Sequence, residues 1–241
     1  MKRHIPNLIT SLNLIAGFTA IIFAVEGDLT TSSWLILAAM IFDFLDGFSA
    51  RLLNSYSEVG KELDSLADVI SFGVAPAIII FYLLKSTLSL YSPLIIGPDG
   101  TGTMLILLSP AVMPLCAALR LAIFNTDDSQ ASSFKGLPTP ANALAVISLV
   151  VAASYSDSSL ATDLTGSPLA LMLFTVILSL LMVSRLPLLS LKMHNIKLRG
   201  NKGRYLLILL VAVSFIIFGI LGALLIIPLY IVVSIISFSF R

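Results

Sequence analysis

Long apolar runs separated by brief polar or glycine-bearing interruptions dominate the chain. Eight have helical length, at about 5–25, 31–54, 60–85, 103–124, 140–155, 167–184, 205–219 and 222–239. The final apolar stretch, Tyr205 to Phe240, would form a 36-residue helix about 54 Å long if unbroken. A hydrocarbon core of about 30 Å does not accommodate that length in one crossing, so Gly219 and Gly222 are read as the break of a tight hairpin. The pattern predicts an all-α integral membrane protein with about eight transmembrane helices.

Composition agrees. Of 241 residues, 58% are hydrophobic and only 11% charged, more apolar surface than a soluble domain of this length can enclose. The first run follows Lys2 and Arg3 in the manner of a signal peptide. It continues to Val25 and ends in Glu26-Gly27-Asp28 without a small-x-small cleavage site, so it reads as an uncleaved first span. A net charge of +1 gives no general attraction to nucleic acid. The single cysteine, Cys116, lies in an apolar run and reads as a small buried hydrophobe.

Charge placement then orients the helices. With the N-terminus inside, every one of the 14 basic residues except Lys85 falls on an inner segment, whereas 26–30 and 156–166 form outer loops with acids and no base. Basic residues are retained on the cytoplasmic side during insertion, so both termini are expected there, in the cell's inner or plasma membrane. The most basic segment, SRLPLLSLKMHNIKLRGNKGR at 184–204, reads as an inner loop touching anionic headgroups. His194 in that loop and His4 near the start have no neighbouring ligand set.

Against this background, DFLDGFSARLLNSYSEVGKELDSLAD at 43–68 is anomalous. Asp43 and Asp46 are three apart on one helix, and Gly47 and Ala50 continue their face, leaving room for a ligand to approach the backbone. Gly60, Asp64 and Asp68 form an i, i+4, i+8 row at the start of the next helix. The polar turn at 55–59 would fold the two helices antiparallel, bringing the acidic faces together, with small residues permitting close packing. Each carboxylate at membrane depth costs roughly 2.5–3.5 kcal/mol on insertion scales. Divalent ions with hard oxygen ligands offset both that cost and the mutual repulsion; Mg²⁺ and Mn²⁺ suit carboxylates, whereas zinc is disfavoured without clustered His or Cys. Arg51 beside such a site suggests phosphate or pyrophosphate recognition. A structural ion or a cation pathway would also use intramembrane acids, though neither needs Arg51. A prenyltransferase would carry two separated acid-rich motifs.

The spaced pattern D-x-x-D-G-x-x-A-R, eight residues, then G-x-x-x-D-x-x-x-D resembles the signature of the membrane CDP-alcohol phosphotransferase family at every fixed position. Those positions are Asp43, Asp46, Gly47, Ala50, Arg51, Gly60, Asp64 and Asp68. The resemblance covers about 1–185, including a PNLIT–N pattern near the start, and implies a six-helix transmembrane core. A basic cytoplasmic loop at 186–204 and a C-terminal transmembrane hairpin at 205–241 follow. DSLADVISFGVAPA at 64–77, LRLAIFN at 119–125 and FKGLPTPANA at 134–143 resemble the serine-accepting branch of that family, with Leu119 and Ile123 departing from its usual pattern.

The resemblance implies transfer of a phosphatidyl group from CDP-diacylglycerol to L-serine, releasing CMP. Glycerol 3-phosphate or inositol phosphate as acceptor, and a cation or proton transporter, are the alternatives. It further implies two divalent ions, Mg²⁺ or Mn²⁺, held by Asp43, Asp46 and Asp64 with Asp68 adjoining. Asp68 would be the base that deprotonates serine, and Asp46, Gly47, Ala50, Arg51 and Gly60 would receive the CDP portion. The family resemblance favours a homodimer. Lys135, on an inner loop, is the candidate for the serine carboxylate.

Overall fold

The computed structural model describes residues 4–55, 57–90, 101–126, 134–156, 158–189 and 201–239. Eleven α-helices occur among them: α1 Ile5–Val25, α2 Leu29–Leu52, α3 Glu58–Asp68, α4 Ala75–Leu90, α5 Thr101–Leu108, α6 Val112–Thr126, α7 Thr139–Tyr155, α8 Ser159–Gly166, α9 Pro168–Val183, α10 Lys202–Phe218 and α11 Ile226–Ser239. Two of the expected spans are each built from two of these helices. A π-helical turn, Val69–Val74, joins α3 to α4, and a 3₁₀ turn, Ser109–Ala111, joins α5 to α6. Among the described residues, four continuous helical stretches, Ile5–Val25, Glu58–Ser89, Gly102–Thr126 and Lys202–Ser237, are long and apolar enough to cross a membrane, or five if the bent pair α7 and α8 counts as one span. Large apolar side chains such as Leu8, Phe18, Leu105 and Ile216 are exposed on the outer faces, as in a protein solvated by lipid. The protein is an integral membrane protein.

Local sequence sets the helix starts. Asp28 caps α2 by accepting the Thr31 N–H at 2.9 Å, and Ser57 caps α3 by accepting that of Gly60 at 3.0 Å. Ser167 caps α9 in the same way. The first helix lies along α2 through Ala16, Ala20 and Ala24, a stripe of small buried residues, and the Ser32 hydroxyl donates to the Ala20 carbonyl at 2.7 Å.

α1 also packs on α3, α4 and the π turn, so it occupies the space expected to belong to a direct α2–α3 contact. A Cβ added at Gly17 would lie 2.7 Å from the Ser71 Cα, an approach only glycine permits, and the Ser71 hydroxyl donates to the Asn13 carbonyl at 3.1 Å. The π turn thus bulges where α1 presses against it, and Gly73 on the same turn meets the Pro114 backbone and Ala117 of α6.

Two other expectations differ from what is seen. The outer segment 156–166 contains α8 rather than an extended loop. Ala161 is fully buried there, and the Thr87 hydroxyl of α4 donates to the Thr165 carbonyl at 2.9 Å, which satisfies a terminal group of this short helix. The segment FKGLP is also not free: Phe134 and Lys135 pair antiparallel with Leu188 and Pro187. Gly136, with φ +77°, bonds its N–H to the Leu186 carbonyl, and Leu137 bonds to that of Leu181. Most of the basic loop, including His194 and Lys197, and the N-terminal Lys2 and Arg3 lie outside the described residues.

The last two helices do fold back. Gly219 has φ +56°, a 3₁₀ turn spans Gly219–Leu225, and Gly222 packs on the Ser214 carbonyl, where a Cβ would come within 2.6 Å. Gly203 at the start of α10 faces Ser237 near the end of α11, a Cβ-to-Cβ separation of 3.2 Å if glycine were alanine.

Candidate active site

One end of the bundle carries the chemistry. Lys61 donates to the Asn125 carbonyl at 3.2 Å and Asn125 to the Ser65 hydroxyl at 2.8 Å, tying α3 to α6. At the opposite end, Thr30 meets Ser154 at 3.0 Å and Trp34 meets Tyr155, tying α2 to α7.

Between α1, α2, α3, α6, α7 and the C-terminal hairpin lies a cavity of about 760 Å³. Asp43, Asp64 and Asp68 converge on it, and one carboxylate oxygen from each lies within 4.8 Å of the others. Asp46 lines the same cavity outside that trio; it is buried, and its Oδ2 has no hydrogen-bond partner among the described residues. The three residues meet because α2 contributes position 43 and successive turns of α3 contribute 64 and 68, while α1 holds the two helices in place. Asp68 is buried and accepts a long hydrogen bond, 3.4 Å, from the Asn13 side chain of α1.

An all-carboxylate set this compact fits a hard divalent cation. Oxygen is its only donor type, and without positive charge the carboxylates would repel strongly in a partly desolvated setting. Among the described residues no other group of His, Cys, Asp or Glu has comparable spacing, and Cys116 is a free, buried thiol as expected.

The remaining signature residues share the cavity. Gly47 is exposed, and a Cβ there would meet nothing within 4 Å, so its backbone is open to a ligand rather than packed on a helix. Arg51 is exposed and donates from Nε to the Gly47 carbonyl at 3.0 Å, leaving the fork of its guanidinium at the rim. Gly60 is approached by Asn7 of α1, whose Oδ1 would be 2.8 Å from an added Cβ. The small residues therefore serve contact with α1 and open space, not the close α2–α3 packing expected. Ala50 also lines the cavity, whereas Lys135 is exposed on the two-residue ladder and is not among the lining residues.

Sequence reasoning passed over several lining residues. Asn7 and Thr10 come from the PNLIT stretch, noted there only as part of a resemblance. Arg120 of α6 was noted within LRLAIFN but given no role, and Tyr230 of α11 was not noted; both are buried in otherwise apolar helices, and the cost of burying them was the signal available. Leu207, Val211, Ile226 and Ile227 supply an apolar wall from the C-terminal hairpin.

Comparison with known proteins agrees with this geometry. The profile of the family described as CDP-alcohol phosphatidyltransferase matches residues 3–198. A Mycobacterium leprae protein named CDP-diacylglycerol–serine O-phosphatidyltransferase is 36% identical over 199 residues, covering 80% of this chain and 59% of that protein. The archaetidylserine synthase of Methanothermobacter thermautotrophicus is 35% identical over 159 residues, 65% of this chain and 62% of its own length. The match thus spans about three fifths of each of those two relatives. A Bacillus subtilis protein with the same name as the mycobacterial one is 32% identical over 192 residues, 80% of this chain and 93% of that protein. With the family profile covering most of its length and the four aspartates gathered at one cavity, the chain belongs to the CDP-alcohol phosphatidyltransferase family.

Proposed function

We propose that this protein transfers the phosphatidyl group of CDP-diacylglycerol to L-serine, giving phosphatidylserine and CMP. The observation that carries the reading is the convergence of Asp43, Asp64 and Asp68 in a cavity that also presents an open backbone at Gly47 and a cation at Arg51. Serine as the acceptor is supported by the names of the relatives and by the position of Pro138, Thr139 and Pro140, from the FKGLPTPANA stretch, on the cavity wall. The names of the relatives favour serine over glycerol 3-phosphate, inositol phosphate or ion transport.

In this reading Asp43, Asp46 and Asp64, with Asp68 adjoining, hold two ions, Mg²⁺ or Mn²⁺. When bound, such ions neutralise the pyrophosphate and the charge that develops on departing CMP. Gly47, Ala50 and Gly60 let the CDP portion approach the helix backbones, and Arg51 offers its guanidinium to a phosphate oxygen. Asp68 takes the proton of the serine hydroxyl as its oxygen bonds to the β-phosphorus. The bond from that phosphorus to CMP breaks, and CMP leaves with the electron pair. Direct displacement is preferred because, among the described residues that line the cavity, no cysteine, histidine or serine stands out as a covalent nucleophile.

The proposal also takes 1–185 as the catalytic core, 186–204 as a cytoplasmic loop and 205–241 as an appended hairpin, working as a homodimer with the site and both termini on the cytoplasmic face. Sidedness is checked by single cysteines at Asp28, Asp163 and Lys202 with Cys116 replaced. A membrane-impermeant maleimide should label the first two from outside and the third only after permeabilisation; outside labelling at 202 reverses the orientation. Function is checked with purified protein, CDP-diacylglycerol and Mg²⁺ or Mn²⁺ against a panel of acceptors. L-serine should yield CMP and an aminolipid; faster turnover of glycerol 3-phosphate or inositol phosphate rejects serine as the acceptor.

A further inference from the structure

Arg120 is the cavity's least explained charge. It sits mid-helix on α6 at 8% exposure, and its Nε has no hydrogen-bond partner among the described residues. It lines the cavity together with Asp68 and Tyr230. A buried guanidinium carries five donors, and leaving one unused is costly unless a ligand completes it. The same cavity holds a second unsatisfied group. Thr139 is fully buried, and its hydroxyl also lacks a partner. It opens α7, a 17-residue helix; with prolines at 138 and 140, the first-turn N–H groups without an intrahelical acceptor are those of Thr139 and Ala141, since Asn142 bonds to the Pro138 carbonyl. A cation, an idle hydroxyl donor and the positive end of a helix together describe a site for an anion. Asp68, the base of the proposed reaction, lines the same cavity, which places this anion site alongside the acceptor's reacting hydroxyl.

We infer that Arg120 and Thr139, at the start of α7, receive the carboxylate of the amino-acid acceptor. The inference rests on serine being the acceptor and assigns its carboxylate to Arg120 rather than to Lys135, which is exposed outside the cavity lining. Tyr230 is itself fixed by donating its phenolic hydroxyl to the Leu189 carbonyl at 2.9 Å. It lies beyond residue 198, where the family match ends, so the C-terminal hairpin helps to enclose the cavity in this chain. The neighbouring Ser234 hydroxyl accepts the Leu189 N–H at 3.1 Å, so both polar groups of Leu189 are tied to α11.

The test compares L-serine with serinol, the same aminoalcohol with the carboxylate replaced by a hydroxymethyl group. In the wild type, kcat/KM should favour serine. Arg120→Gln should reduce the serine-to-serinol ratio by about 10²-fold, as expected for removing the charged partner of a buried carboxylate. Arg120→Lys, which keeps the charge and protects the test against a folding defect, should raise the serine KM about tenfold while kcat stays within about threefold. Thr139→Val should lower the ratio by about three- to tenfold. An unchanged ratio in Arg120→Gln, or a serine KM unaltered in Arg120→Lys, overturns the inference and leaves Arg120 as a counter-charge for Asp68. So does a collapse of the ratio in Lys135→Ala alone. Failure of serine turnover in the wild type, with glycerol 3-phosphate or inositol phosphate accepted instead, rejects the proposed function separately.

Discussion

Two helical hairpins face the same cavity with opposite chemistry. The segment 43–68 places four carboxylates, an arginine and open backbone on one side, and its residues are spaced so that adjacent turns present them together. The C-terminal hairpin, α10 and α11, places Leu207, Val211, Ile226 and Ile227 on the other side, with Tyr230 as its one polar contribution to the lining. The first hairpin is costly to bury and is rationalised by a ligand. The second would sit in a bilayer without any ligand, and nothing in its own sequence distinguishes a wall from a lipid-facing span. A group that is expensive in its surroundings announces its purpose, whereas an apolar side chain is equally at home in lipid and in a pocket.

The largest test of the acidic side is metal removal. Chelation should abolish transfer, and Mg²⁺ or Mn²⁺ should restore it while Zn²⁺ should not, because the donors are all carboxylate oxygens. Restored turnover with Zn²⁺ alone would contradict that donor logic. Next, Asp68→Asn should lose about 10²-fold or more in kcat while retaining CDP-lipid binding better than Asp43→Asn does. Equal losses of binding in both variants would make Asp68 a ligand and not a base.

The wall should respond differently. Ile227→Trp pushes bulk into the cavity and should raise the KM for CDP-diacylglycerol about tenfold, leaving Mn²⁺ binding, read by electron paramagnetic resonance, as in the wild type. Loss of Mn²⁺ binding would mean that the two sides are one cooperative unit.

The smallest effect contrasts two glycines. Gly17→Ala forces α1 away from Ser71 and should cost roughly 1–3 kcal/mol of stability, seen as a lower Tm. Gly47→Ala meets nothing within 4 Å and should keep the wild-type Tm while raising the KM for CDP-diacylglycerol. The reverse pattern would mean that Gly47 is a packing residue and Gly17 is not.

Much of this architecture was legible beforehand. The apolar runs located the helices, the break at Gly219 and Gly222 located the hairpin, and the i, i+3 and i, i+4 spacings located the carboxylates. The illegible part is instructive. The turn at 55–59 suggested that α2 and α3 pack directly, yet α1 stands against both, with Asn7 over Gly60 and Asn13 on Asp68. Helix α8 appeared where a loop was expected, stabilised by a hydroxyl from α4 that is 78 residues away in the chain.

By itself the sequence determined the solvent of this protein, the length of its helices and the identity of its acidic motif. Those depend on composition and on spacing within one or two helical turns, where the backbone's own geometry decides which residues are neighbours. Only the tertiary structure decided that Arg120 and Thr139 open onto the same cavity as the aspartates, and that Tyr230, more than 160 residues after Asp68, helps to enclose it. Such juxtapositions follow from how helices pack, and packing depends on the shapes of distant surfaces rather than on any periodicity a single segment carries.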